Sequence, residues 1–164
     1  MNLTPEEFNN LTNSFGSYGS WAIWSNAKSR SAEKLTNPIF ENIGLLNSKH
    51  VIIGLNISKP VSTWGNFRGG THDRKLKYAF NDTELKGSYM TDLFKDVVNP
   101  NSVSFYKYIE SQPHLIKQNV ELFKKEMSAI KITPGTTFIL MGTENSILAT
   151  LYNKYFRIHF PELK

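Results

Sequence analysis

Apolar residues recur along the chain with two different periods, and the change of period marks out its elements. Phe8 and Leu11 share one side of a segment opened by Thr4-Pro5-Glu6-Glu7. Thr4 can accept from a first-turn amide, Pro5 has no amide to leave unpaired, and Glu7 completes a capping box, so a helix is predicted over residues 5–14. Residues 50–55 carry the run Val51-Ile52-Ile53, continuous rather than alternating, as expected of a parallel strand covered on both faces. The segments GSYMTDLF (87–94) and TTFILM (136–141) read as further strands. Between them, Pro113 opens a segment in which Ile116, Val120, Phe123, Met127 and Ile130 fall at helical spacing and bury one face. Shorter patterns predict a strand over 20–24, helices over 38–46, 73–80 and 102–110, a helix over 146–155 starting near Thr143 or Glu144, and a last strand over 156–160. Residues 26–34 are polar and read as a loop. Strands alternating with helices predict one α/β domain over residues 1–164. Its architecture is a three-layer α/β/α sandwich around a short, mostly parallel sheet of four or five strands.

Composition narrows the chemistry. Hydrophobic residues make up 40% and charged residues 20%, which is the balance of a folded domain rather than a disordered one. There is no cysteine, which excludes disulfides, thiolate nucleophiles and cysteine-ligated metals. His50, His72, His114 and His159 form no metal-binding motif, and neither a metal nor a cofactor is expected. No apolar run approaches the roughly 18 residues of a membrane span, and the opening MNLTPEEF lacks the basic and apolar regions of a signal peptide. A cytoplasmic location without membrane association is the expectation. The net charge of +5 permits a polyanionic partner without requiring one.

Candidate chemistry gathers after the strand at 50–55. The stretch from Asn56 to Arg74 holds Pro60, Gly65, Gly69 and Gly70, and in open α/β folds a long loop at this edge of the sheet is where ligands bind. Gly54 and Asn56 stand where the strand ends. The Asn56 amide can orient a water or hold the edge of a substrate, the Phe67 ring can stack on a base, and Arg68 and Arg74 can contact phosphate. The alternative is an irregular loop whose asparagine caps a turn and whose ring fills a gap. Asp92, next to Thr91 near the end of the following strand, is a candidate base or a turn cap. Tyr89 faces either a cleft or the core. Gly142 permits close approach of a ligand between strand and helix, and Glu144 beside it is either a reacting group or a helix-terminus charge. Neither GxxxxGK[ST] nor GxGxxG occurs, so nucleotide hydrolases of the phosphate-loop type and dinucleotide enzymes find no support.

The run VIIGLNISKPVSTWGNFRGGTHDRKLKYAF resembles the first half of the uracil-DNA glycosylase superfamily, its mismatch-specific branch in particular. GSYMTDLF and TTFILMG resemble strands that follow in that family. The resemblance implies a four-stranded parallel sheet that binds DNA across its strand ends, with Asn56 at the position of the loop asparagine that orients or activates water. It also implies Phe67 as the ring that stacks on a flipped base. The chain departs from the family at Ile57, where a proline follows the asparagine, and at the late His-Pro-Ser loop, whose nearest string is His159-Phe160-Pro161. Three functions follow as expectations. The first is binding of a nucleotide or nucleic acid, with or without hydrolysis of an N-glycosidic bond. The second is a non-catalytic module that binds a protein partner, and the third is a small-molecule nucleoside hydrolase.

Overall fold

A computed structural model describes residues 3–25, 38–68 and 73–163, the side chain of Arg74 excepted. Its centre is a four-stranded sheet. Strand β1 (Ser20–Trp21), β2 (Asn47–Asn56), β3 (Ser88–Phe94) and β4 (Thr137–Leu140) lie in the order β1-β3-β2-β4. The strands β2, β3 and β4 run parallel, and β1 closes one edge antiparallel to β3. Val51, Ile52 and Ile53 are fully buried with a neighbour on each side, as a continuous apolar run requires.

Side chains alternate across the sheet and so divide the core in two. Val51, Ile53, Tyr89 and Leu93 face one layer. It is made by α1 (Pro5–Phe15), α3 (Ser102–Glu110), α4 (Pro113–Ala129) and α5 (Ile147–Leu151). Ile52 and Met90 face the other, where Leu76 and Phe80 of α2 (Asp73–Phe80) pack with Trp24 and Phe67. The capping box at Thr4 and Glu7 forms as its spacing predicts. Helix α4 buries Ile116, Val120, Phe123 and Met127. Phe123 is the hub of a ring cluster, with Phe138, Phe156 and Phe160 at 5.9, 5.5 and 5.6 Å in edge-on geometry.

Three predicted elements differ. Residues 38–46 form a turn followed by a 3-10 helix, Ile43–Leu45, because the Asn42 side chain donates to the Pro38 carbonyl at 2.7 Å and so competes with a helical amide. The expected last strand at 156–160 is helical: a π-helical turn, Tyr152–Phe156, continues α5 and leads into a 3-10 turn, Arg157–His159. Tyr152, Phe156 and Phe160 recur every four residues, and this spacing places their rings on Phe123 and Phe138. The helix start moves as well. Ser146 is the N-cap, accepting from the Ala149 amide at 3.2 Å, in place of Thr143 or Glu144. The strand at 20–24 narrows to two residues, and the loop at 26–34 lies outside the described residues.

Candidate functional site

Strand β2 delivers Asn56 to the C-terminal edge of the sheet, next to the end of β3. There the chain leaves the sheet in an irregular loop that is pinned from several sides. The Ile57 amide donates to the Phe94 carbonyl at 3.3 Å. Trp64 is fully buried, donates through Nε1 to Thr12 at 3.1 Å, and accepts from the Ser20 hydroxyl at 3.0 Å. Trp64 and Phe67 adopt φ of 52° and 58°, a left-handed conformation unfavourable for bulky side chains. Two such residues within four positions store strain that the surrounding contacts hold in place. The result is a cleft of about 250 Å³ whose walls include Asn56, Ser58, Lys59, Asn66, Phe67 and Asp92.

The floor depends on Gly54. Gly54 stands opposite Asp92 in the β2–β3 register, and a Cβ there would run into Asp92 Oδ1 and lie 3.2 Å from the Phe67 ring. A glycine is what lets the carboxyl and the ring meet over the strand. Asn56 turns its Nδ2 away from the cleft's business, donating to the carbonyls of Ile57, Val97 and Asn99 at 3.2, 3.1 and 2.8 Å. Its Oδ1 accepts no hydrogen bond among the described residues, which leaves an amide oxygen of fixed direction as the acceptor.

Asp92 is the main ionisable group of the cleft. It is 4% exposed, and its Oδ2 accepts from Asn66 Nδ2 at 2.8 Å. Asn66 is fixed in turn: Nδ2 also donates to the Tyr18 carbonyl at 2.8 Å, and Oδ1 accepts from the Phe67 amide at 3.0 Å. Burial pushes the Asp92 carboxyl up to about 6, against the pull of the Asn66 hydrogen bond and the Lys95 charge, with smaller upward pushes from Glu126 and Asp73. A carboxyl poised near neutrality in a cleft, held by an amide and next to a ring, has the properties of a general base.

The other residues singled out by sequence are placed as follows. The Arg68 guanidinium donates to Ser20 Oγ at 3.2 Å, to the Trp21 carbonyl at 3.0 Å and to the Ile23 carbonyl, and lies over the Trp24 ring at 5.6 Å. It lines the cleft, but these bonds give it the task of tying the loop to β1. Replacing Arg68 by alanine is therefore expected to lower unfolding stability by about 2 kcal/mol, read by urea denaturation, because charged hydrogen bonds to buried carbonyls are lost. Exposed Lys59 is a cation at the rim. Arg74 falls in α2, with its side chain outside the described residues, as are Gly69, Gly70 and His72. Gly142 is exposed and is not among the residues lining this cleft; a Cβ there would stand 2.6 Å from Ser146 Oγ, so it serves the helix cap. Glu144 is exposed beside it. Tyr89 is fully buried in the core layer.

Asn66, Lys95 and Glu126 are the polar residues of this region that pattern alone passes over. Asn66 sits among glycines and looks like any loop asparagine, and its partners are distant in sequence. Among the described residues, no three histidine, aspartate or glutamate side chains gather as a metal centre, and no helix is long and apolar enough to cross a membrane. Comparison with family models, with curated proteins and with solved structures finds no match to the chain.

Proposed function

We propose that the chain binds a nucleotide or nucleic acid at the cleft after β2 and hydrolyses an N-glycosidic bond there, as glycosylases of the uracil-DNA type do. The observation that carries the reading is the convergence of Asn56, Phe67 and Asp92, drawn from two strands and a strained loop, on one small cleft at the C-terminal edge of parallel strands. A volume of about 250 Å³ suits a single planar ring system better than a larger ligand. In this reading the ring stacks on Phe67, and Asn56 Oδ1 orients a water that Asp92 deprotonates. The water oxygen bonds to the anomeric carbon as the C–N bond breaks. The base leaves with the bonding electrons, and the proton taken by Asp92 ends on its nitrogen. Lys59 meets phosphate at the rim.

The test is release of free base from a panel of nucleosides and of single- and double-stranded oligonucleotides carrying uracil, hypoxanthine or mismatches, followed by chromatography. Release from an oligonucleotide but not from its nucleoside supports the nucleic-acid reading, and the reverse supports a nucleoside hydrolase. Phe67→Ala is expected to weaken binding by about 1–3 kcal/mol per stacked base. Release from none of these substrates, with no binding to any, overturns the reading. A second reading, a module that docks a protein partner, draws on an apolar groove of about 450 Å³ between α4 and the C-terminal turns, lined by Ile116, Val120, Tyr155 and the exposed Ile158. Ile158→Asp would abolish such docking and leave base release unchanged.

A further inference from the structure

Behind the cleft, on the opposite face of β3, lies an ionic cluster with no access to solvent. Lys95 Nζ and Glu126 Oε2 stand 2.8 Å apart with both side chains fully buried. Glu126 Oε1 accepts from the Tyr89 and Thr91 hydroxyls at 2.8 and 2.9 Å. Lys95 Nζ also donates to the main-chain carbonyl of Asp92, and it lies 5.1 Å from the centre of the Phe123 ring. The Lys95 amide donates to Asn119 Oδ1 at 2.8 Å, and Asn119 is held by its own bond to the Leu115 carbonyl at 2.9 Å. Asn119 and Glu126 are seven residues apart and so share one face of α4. Helix α4 thus grips the end of β3 at two points, and Asp92 lies between them.

Stability alone is a poor reason for such a cluster. Taking an ammonium and a carboxylate out of water costs as much as their attraction returns, and packed apolar residues of similar size serve a core equally well or better. What the pair supplies that apolar residues cannot is a hydrogen bond to the Asp92 carbonyl and a fixed field across the sheet.

We propose that Lys95 and Glu126 are positioning residues for the cleft: the buried pair holds the main chain of Asp92 and so aims its carboxyl at the ligand. This rests on the reading of Asp92 as the base of the site. Three contacts fix that carboxyl. Asn66 sets its Oδ2, the absence of a side chain at Gly54 leaves room for its Oδ1, and the lysine anchors the backbone that carries it. Of the charged groups that act on it, Lys95 and Glu126 belong to this cluster, and Asp73 approaches from α2.

The experiment uses the full chain with Lys95→Met and Glu126→Gln combined. This removes both charges and retains an acceptor for Tyr89 and Thr91, so the variant avoids a lone buried ion. Asp92 is followed by carboxyl-carbon NMR titration, with Asp92→Asn to assign its signal, and base release by the panel above. Removing Lys95 takes away a larger influence on Asp92 than removing Glu126, so the titration midpoint is expected to rise in the double variant. The rate of base release at saturation is expected to fall at least tenfold, with KM nearly unchanged. A folded variant whose Asp92 midpoint is that of the parent overturns the positioning role. If the parent releases no base from any substrate, the glycosidic reading fails, and the midpoint still decides whether the pair governs Asp92. Should the double variant not fold, Lys95→Arg keeps the charge and alters the contact with the Asp92 carbonyl; backbone and carboxyl-carbon chemical shifts of Asp92 identical to the parent's there overturn the proposal too.

Discussion

Asp92→Asn is expected to reduce base release by about 10²–10⁴-fold, the usual contribution of a positioned general base, while leaving ligand affinity nearly unchanged. The same substitution should change how stability depends on pH, and this second effect can be measured without a substrate. Asp92 rises from 3.8 in an ordinary carboxyl to about 6 in the folded chain. Between these values the folded state holds a proton that the unfolded state has lost. Stability is therefore fully present below the lower value and declines as pH rises through the upper one. The two-unit difference corresponds to about 3 kcal/mol. Asparagine never ionises and can still accept the Asn66 hydrogen bond through its own oxygen. Relative to the parent, Asp92→Asn should gain about 3 kcal/mol between pH 4 and pH 8, measured by urea unfolding at both. A difference independent of pH would show that Asp92 is not held up by burial, and the case for it as a base would lose its electrostatic footing. Loss of activity together with a gain of stability is the pattern of a functional residue whose environment costs the fold something.

Lys95→Met alone should be the most damaging single substitution, costing about 3–5 kcal/mol, because Glu126 would keep its burial and lose its counter-charge. For a chain of this length that corresponds to a fall in Tm of roughly 10 °C. Calorimetry of the variant beside the parent reads the fall directly, and a fall of less than about 3 °C would show that the pair does not hold this end of the sheet.

These two residues also show where sequence patterns stop being informative. The capping box at Thr4, the apolar run at 51–53 and the stripe of α4 are local signals, and each forms as its spacing predicts. The cleft-bearing loop was legible for a similar reason, since it follows the best central strand. Lys95 and Glu126 were not. A lysine after a strand and a glutamate on a helix normally face water, and nothing near either residue announces that 31 positions away lies its partner. Residues 156–160 fail differently. Phe156, Ile158 and Phe160 alternate as a strand would, yet Tyr152, Phe156 and Phe160 also repeat every four. The two periods are equally present, and only the rings of Phe123 and Phe138 decide between them. Arg68 was legible as a cation of the loop, but its acceptors, 45 to 48 residues upstream, were beyond any local pattern.

The bonds of Arg68 matter beyond the loop they fasten. Strand β1 is the margin of the sheet, and Ala22 directs its amide to Ser88 and its carbonyl to Gly87, inward toward β3. Past the strand the chain folds back, the Ile23 amide donating to the Trp21 carbonyl at 2.7 Å, and the guanidinium meets the carbonyls of both residues. The edge of a sheet is a template on which another molecule's strand can pair, and a positive charge laid along it is one of the ways folded proteins keep themselves apart. Removing Arg68 would take a donor from each of these carbonyls. The protein would then face a colloidal problem at high concentration, in addition to a looser loop.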